Sequence, residues 1–465
     1  MTRVIGIGMG RVVESDDRAV YGRLLPLAAA VSAVYAFSPL SVIVGAAMCL
    51  LLRRAARGLQ GMERRWVFGV LITGLGLRAL ALIGLFVTTN PWREQIQALF
   101  GDGHYSIQRS LWILNDWQDI PIGPWYRFNV FGYYAVPSFD RVLAAVQWFI
   151  GPSPYALPLI SVAAFFAGTV LLYRLARRSF GPAAALTGLV LLVFWPTFFV
   201  WSISMLKESA QLFLYAATIS AAVTAARIER WGVRAALLGV ILAAAYLIAP
   251  LRAGSHLILL GTVVFGYAFS ASLRRSSVFV ALISCIVVGG ALAAGRPSVQ
   301  ALVRGGVYFA MDHHIGNVRT PGNSYMAADR RFYTNRRYFS QIAPPTFDEC
   351  VRFLIRSAAM FVLVPLPVHI VNSSGLAFVP QQLAWLLLLA FACWGAWVGF
   401  RRDPLLTGMC VGHCLAAAAV IAPNSGNIGT LIRHRDIIVP LSVWLSGLGV
   451  MAALGTIGRT HHASD

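Results

Sequence analysis

The sequence predicts an all-α polytopic membrane protein, and three observations carry that prediction. Hydrophobic residues make up 58% of the chain and charged residues only 12%, with a mean hydropathy of +0.69; a soluble domain of this size cannot hide that much apolar surface. Apolar runs of about 20 residues, the length that spans a hydrocarbon core, recur along the chain. The charges collect between those runs, as the cost of an ion in lipid requires.

The formal charge of +20 is therefore a property of loops, which face the cytoplasm or lipid phosphates. Nucleic acid is not an expected partner, because no soluble basic domain is present to hold it. Cys49, Cys285, Cys393, Cys410 and Cys414 fall in apolar runs and Cys350 stands alone in a loop. None forms a CxxC pair, so no disulfide framework is expected. The first residues, MTRVIGIGMGRVVESDD, lack the apolar core of a signal peptide and read as a flexible tail.

Basic clusters set the topology. They fall at Arg53, Arg54, Arg57, Arg64 and Arg65, at Arg174, Arg177 and Arg178, at Arg227, Arg230 and Arg234, at Arg274 and Arg275, at Arg401 and Arg402, and at Arg459. An even number of crossings fits between consecutive clusters, so all can share the cytoplasmic face. The crossings are 66–89, 155–173, 182–201, 208–226, 235–251, 255–273, 277–294, 380–400, 404–422 and 437–456. Residues 24–52 are interrupted by FSPLS, and form either one kinked crossing or a hairpin. The total is about 10–12 helices.

Four regions result. Residues 1–65 hold a cytoplasmic tail, the ambiguous apolar segment and a basic loop; 66–294 form the core, including a first outer loop at 90–154; 295–379 form a second outer loop; 380–465 carry the last helices. Both outer loops mix aromatics with charges, as in PWYRFNVFGYY and RRFYTNRRYF, which suits helices lying at headgroup depth. No cytoplasmic domain is large enough to bind a nucleotide. Chemistry on the outer face then needs an activated donor that crosses the membrane itself, such as a lipid-linked one.

The first outer loop contains FGDGHYSIQRSLWIL, with Asp102 between two glycines. Ile107, Leu111 and Leu114 recur on one side of a helix that Asp102 could N-cap. The same carboxylate could act as a general base toward an incoming hydroxyl.

Lys207, in SISMLKESAQ, is the only lysine; the other 37 of the 38 Lys and Arg residues are arginines. With Glu208 it opens a helix on the outer side, where a basic residue needs an anionic reason to be. A helix-end pair with Glu208 is the bland explanation. An ammonium also suits a phosphate that is held and then released. Arg252, in LIAPLRAGSHL, either snorkels to headgroups or adds a second phosphate ligand.

The stretch APNSGNIGTLIRHRDIIVP carries Arg433 and Arg435 around His434, with Gly426 and Gly429 able to bring backbone N–H groups to an anion. Lipid anchoring explains that charge as well as a site does. Asp312, His313 and His314 are poorly spaced for a metal, since adjacent histidines diverge on a helix. Arg78, inside the first core crossing, is expected to face the bundle interior toward a carboxylate or a lipid phosphate.

The order LRAL, GDGHY, an outward Lys-Glu and an Arg-rich segment before the last helix resembles the GT-C superfamily of integral membrane glycosyltransferases. Within it the chain is similar to protein O-mannosyltransferases and lipid A aminoarabinose transferases. The resemblance is best over 66–275 and looser over 422–456, and it implies a GT-C-like bundle.

It further implies a polyprenyl-phosphate sugar donor and inverting transfer to a glycan, lipid or protein acceptor. The site would face the periplasm or exterior of a bacterial inner membrane, among membrane lipids. Asp102 and Glu208 map to the catalytic acids. Gly103 stands where many members have a second acid, which puts a paired acid within that motif in doubt. His104, Tyr105, Lys207, Arg252, Arg433 and Arg435 are the substrate-binding candidates, and Trp117, Trp125, Tyr126 and Tyr134 could stack on sugars. No cofactor is certain from the sequence, and a divalent metal (Mg or Mn) stays open. Two rivals remain: a polysaccharide polymerase or O-antigen-ligase-like enzyme using pyrophosphate-linked glycans, and a lipid-linked sugar transporter or flippase, which the lack of an internal repeat disfavours.

Overall fold

The computed structural model describes residues 38–88, 101–131, 138–151, 156–274, 295–334, 343–370 and 376–462 apart from a few single positions, together with scattered positions in 27–37 and 277–292. The N-terminal tail, the crossing over 277–294 in the main, Tyr134 and the question of what precedes Ser38 lie outside the described residues.

The described chain is helical. In order it forms α1 (Pro39–Ala56), α2 (Gly61–Thr88), α3 (Gly101–Trp117), α4 (Pro124–Phe131), α5 (Ser138–Ile150), α6 (Pro158–Phe180), α7 (Pro182–Val193), α8 (Pro196–Ser202) and α9 (Glu208–Arg227). It continues through α10 (Trp231–Ile248), α11 (Ser255–Arg274), α12 (Pro297–Val318), α13 (Phe347–Leu363), α14 (Phe378–Arg402), α15 (Pro404–Ile421), α16 (Ile428–Arg435) and α17 (Val439–His462). Among the described residues eight helices are long and apolar enough to cross a membrane, and up to 10 spans result if two bent pairs each count as one. The two long loops predicted to face outward carry helices of their own, α3 to α5 in the first and α12 and α13 in the second. Trp125, Phe128, Trp148 and Phe149 are exposed there, which fits rings at a membrane interface.

One predicted crossing is broken, and a second bend lies just ahead of another. The run 182–201 bends by 61° between α7 and α8, and α16 meets α17, the predicted 437–456 crossing, at 65°. At the first break Pro196 has no N–H to continue the ladder, and the carbonyl of Val193 is left for another donor. Arg78 supplies it. Its Nη2 donates to the Val193 carbonyl at 3.0 Å, its Nε to Ser202 Oγ at 2.6 Å and its Nη1 to the Gly74 carbonyl at 3.1 Å. The guanidinium lies 4.4 Å from the centre of the Phe165 ring and 4.9 Å from that of Phe199. Arg78 does face the bundle interior, but its partners are backbone, a hydroxyl and ring faces. The expectation of a carboxylate or phosphate partner is corrected: the break itself consumes the guanidinium's donors.

The second break is held by Asp436. Its carboxylate accepts from Trp195 Nε1 at 3.1 Å, Thr197 Oγ1 at 2.8 Å and Trp201 Nε1 at 2.5 Å. The two irregular segments are thereby fastened to each other. Close helix packing supports this region, because a Cβ on Gly395 or Gly449 would collide with backbone of the facing helix, α17 or α14.

The basic loops gather at one end. Arg177 pairs with Glu63 at 2.5 Å, Arg227 pairs with Asp403, and Arg402 donates to the Phe180 carbonyl at 2.9 Å. Since α9 runs from Glu208 to Arg227, Glu208 lies at the opposite end of the bundle.

Arg78→Met should leave the Val193 carbonyl buried and unpaired, at a cost of about 2 kcal/mol. A lowered unfolding midpoint of the detergent-solubilised protein would show it; an unchanged midpoint would mean that the break does not depend on this bond.

Candidate active site

The end opposite the basic loops brings together residues that are 331 positions apart in the chain. Their meeting point is Arg433, on α16. Its Nη1 bonds Asp102 Oδ2 at 2.5 Å, and its Nε bonds Glu208 Oε1 at 2.6 Å. Arg252, in the turn between α10 and α11, reaches the same Glu208 oxygen at 3.1 Å. Glu208 is buried, whereas the Asp102 side chain is 69% exposed. One guanidinium thus joins a buried acid to a solvent-facing one.

Local sequence explains each placement. Glu208 opens α9, where a carboxylate complements the helix dipole. Asp102 sits in the first turn of α3, and Ile107 and Leu114 on that helix are buried as the spacing predicts. Asp102 is not an N-cap residue; it lies inside the helix and its Oδ2 is taken by Arg433. Lys207 precedes Glu208, but the helix-end pair does not form, since Glu208 is bonded by Arg433 and Arg252. The Lys207 ammonium has no hydrogen-bond partner among the described residues, and neither does the buried Arg252 Nη1.

Arg433 is steered by the second long loop. Tyr325 N–H donates to the Gly426 carbonyl at 3.0 Å and Ile428 N–H to the Asn323 carbonyl at 2.9 Å. Asn427 caps α16 by accepting from Gly429 N–H at 2.9 Å. The expectation that Gly429 presents its N–H to an anion is therefore corrected, because the cap uses it; Gly426 packs against the His314 carbonyl, where a Cβ would collide. His314 anchors the same joint. It bonds the Ser425 carbonyl through Nδ1, and through Nε2 it meets the Ala327 N–H at 3.1 Å and Tyr333 Oη at 2.9 Å. Burial pushes its pKa down to about 4, so the ring is neutral at physiological pH.

Arg435, two residues beyond Arg433, turns the other way. It donates to the Phe361 carbonyl at 2.8 Å, to Gln382 Oε1 at 2.7 Å and to the Val364 carbonyl at 2.5 Å. Its guanidinium completes the C-terminal end of α13, so it is not brought to the cluster. His104 stays on α3, paired with Gln108 at 2.8 Å. Tyr105 is partly exposed, with the Arg109 guanidinium 5.1 Å from its ring centre. Trp112 packs on Tyr126 with centroids 4.7 Å apart, and Trp117 and Trp125 are exposed.

Three further residues belong to the cluster and were not singled out from the sequence. Asp140 on α5 is buried and pairs with Arg109 at 3.3 Å; burial raises its pKa while Arg109, Ser106 and Lys207 lower it. Arg109 lies seven residues after Asp102, two helical turns on, a spacing that could have found it. Asp140 had no such signal. His434 bonds Ser425 Oγ at 2.8 Å.

Three carboxylates therefore meet four fixed cations, Lys207, Arg252, Arg433 and Arg109. Burial and the Arg252 guanidinium bring the Lys207 ammonium down to about 8, Glu208 and Asp140 opposing the shift. Burial likewise lowers Arg252. The excess of positive charge, with donors unspent, is an anion-binding arrangement. A divalent metal fits it poorly, because Arg433 engages both Asp102 and Glu208 and three cations crowd those carboxylates. Among the described residues no group of three His, Cys, Asp or Glu side chains could hold a metal ion.

Residues 140–294 match the dolichyl-phosphate-mannose-protein mannosyltransferase family. The match supports a membrane glycosyltransferase of the GT-C type. It includes Asp140, Lys207, Glu208 and Arg252, and leaves Asp102 and Arg433 outside. No curated protein and no solved structure gives a significant match.

Two outcomes test the geometry. Arg433→Gln should abolish any sugar transfer, whereas Arg435→Met should lower the unfolding midpoint and leave anion binding at the cluster nearly unchanged; a large loss of binding in the second variant would put Arg435 in the site after all. The Lys207 ammonium is charged below about pH 8 and loses its proton above it. Binding of a phosphate anion at the cluster should then weaken roughly tenfold as pH rises from 7 to 9. The inflection should vanish in Lys207→Arg, and its persistence there would assign it to another group.

Proposed function

We propose that this chain transfers a sugar from a polyprenyl-phosphate-linked donor to a glycan, lipid or protein acceptor on the outer face of a bacterial inner membrane, with inversion at the anomeric carbon. The observation that carries this reading is the Arg433 bridge. It places an exposed carboxylate, Asp102, beside a partly buried group of cations with unspent donors.

The roles follow from charge. Lys207, Arg252 and Arg433 hold the donor phosphate. Asp102 removes the proton from an acceptor hydroxyl, whose oxygen attacks the anomeric carbon as the C–O bond to phosphate breaks. Polyprenyl phosphate leaves as an anion and needs no general acid; the cations stabilise the charge it gains.

A carboxylate bonded to a guanidinium is a weak base. A donor phosphate competes for Arg433, which frees Asp102, so base activation is coupled to donor binding. Glu208, buried between two arginines, keeps their guanidiniums in position. Arg109 and Asp140 hold the α3 and α5 side of the site. The positive-inside rule supports the outer-face assignment, since the basic loops lie at the opposite end.

The test is transfer or release of sugar from a panel of labelled polyprenyl-phosphate sugars by the reconstituted protein. The expected result is that one donor is consumed and that Asp102→Asn falls by at least about 100-fold. Activity retained in Asp102→Asn would remove the base from that residue. Consumption of pyrophosphate-linked glycans alone would instead favour a polymerase or ligase.

A further inference from the structure

At the other end of the bundle, the α1–α2 turn forms a cleft of about 540 Å³ lined by Arg53, Arg54, Arg57, Arg64, Leu59 and Phe68. Its size is that of a small-ligand site. We infer that this cleft binds a phosphate-bearing group, with an anionic lipid headgroup and a soluble phosphate ester as the two sources of that chemistry. The inference does not rest on the transferase reading.

The residues around the cleft leave its arginines available. An exposed arginine often folds back onto nearby carbonyls or pairs with a carboxylate. Here the carbonyls that end α1 are already taken: Arg174, on α6, donates to the Arg57 carbonyl at 3.1 Å and to that of Arg54 at 2.5 Å. The nearest acid, Glu63, is also occupied, by Arg177 at 2.5 and 2.8 Å and by Tyr173 at 2.9 Å. Among the described residues none of the four lining guanidiniums has an ion-pair partner. Arg64 lies 5.7 Å from the centre of the Phe68 ring, which orients it along the wall.

Topology alone accounts for basic residues at this face, but not for four unpaired guanidiniums converging on one concave surface while a fifth and a sixth consume the competing acceptors. Arginine forks match phosphate oxygens in pairs. Basic pockets between membrane helices at headgroup depth are where anionic lipid heads settle. Leu59 is buried at the turn and Phe68 half-buried beside it, an apolar floor suited to the glycerol or acyl start of a lipid. The helix α2 has 28 residues, roughly 42 Å, which separates this cleft from the Asp102 end.

The full chain would be reconstituted in phosphatidylcholine nanodiscs doped with cardiolipin, and retained cardiolipin counted by native mass spectrometry after extraction. In parallel, lipid-depleted protein would be titrated with inorganic pyrophosphate. The cleft variant replaces Arg53, Arg57 and Arg64 with Gln. The comparator replaces Arg178, Arg230 and Arg401 with Gln, removing equal charge from the same end outside the cleft.

The expected result is at least about tenfold weaker retention in the cleft variant and at most about twofold in the comparator. Cardiolipin retention identifies a lipid headgroup; pyrophosphate binding without lipid retention identifies a soluble phosphate ester. Equal losses in both variants, or no binding of either probe by wild type, would overturn the inference. Replacing the same three arginines with Lys keeps the charge and the fold but loses the fork, and should give an intermediate loss. Asp102→Asn should leave cardiolipin retention intact, which separates this site from the proposed transferase site.

Discussion

Arg433 is held between two carboxylates, one buried and one exposed, and much of the architecture exists to put it there. A guanidinium in a low-dielectric region is costly unless its donors are used. Glu208 answers the buried side and Asp102 the open side. Because the bond to Asp102 is partly solvated, it is the one a competing anion can displace. The bond to Glu208, shared with Arg252, is the one that stays.

That arrangement depends on two interrupted helices. A straight helix would leave no room for Lys207 and Glu208 to begin α9 inside the bundle, or for α16 to lie across its end. Interrupting a helix frees backbone groups that must find partners where water is scarce. Arg78 pairs with the first break, and Asp436 draws Trp195, Thr197 and Trp201 onto the second. Arg78 is thus spent on irregular backbone, and Asp436 on the side chains beside it. Arg435 resembles Arg78, since its donors end on carbonyls at the end of α13.

The two ends of the bundle handle arginine differently. At the Asp102 end the guanidiniums are paired with carboxylates and partly buried, and Lys207 leaves a net positive charge. At the basic end Arg174 and Arg177 take up carbonyls and Glu63, while Arg53, Arg54, Arg57 and Arg64 remain exposed. Unpaired like charges at the basic end are what a lipid boundary with anionic headgroups selects.

The sequence by itself determined the membrane class, most crossings and the two long helical loops, because apolar run length and charge segregation are local properties. It also pointed to Asp102, Lys207, Glu208, Arg252 and Arg433, which stand out as charges at the ends of apolar runs. Tertiary structure alone decided how they meet. Arg433 and Arg435 are indistinguishable in RHR, yet a turn of helix sends one to Glu208 and the other to Phe361. Asp140 carries no motif, and enters the cluster only because α5 packs on α3. The break after Val193 was hidden within an apolar run of normal length, and the bend at Asp436 lies just ahead of the last one. Hydropathy reports how much of a segment prefers lipid, whereas the path of the backbone depends on which distant side chains satisfy its freed carbonyls and N–H groups.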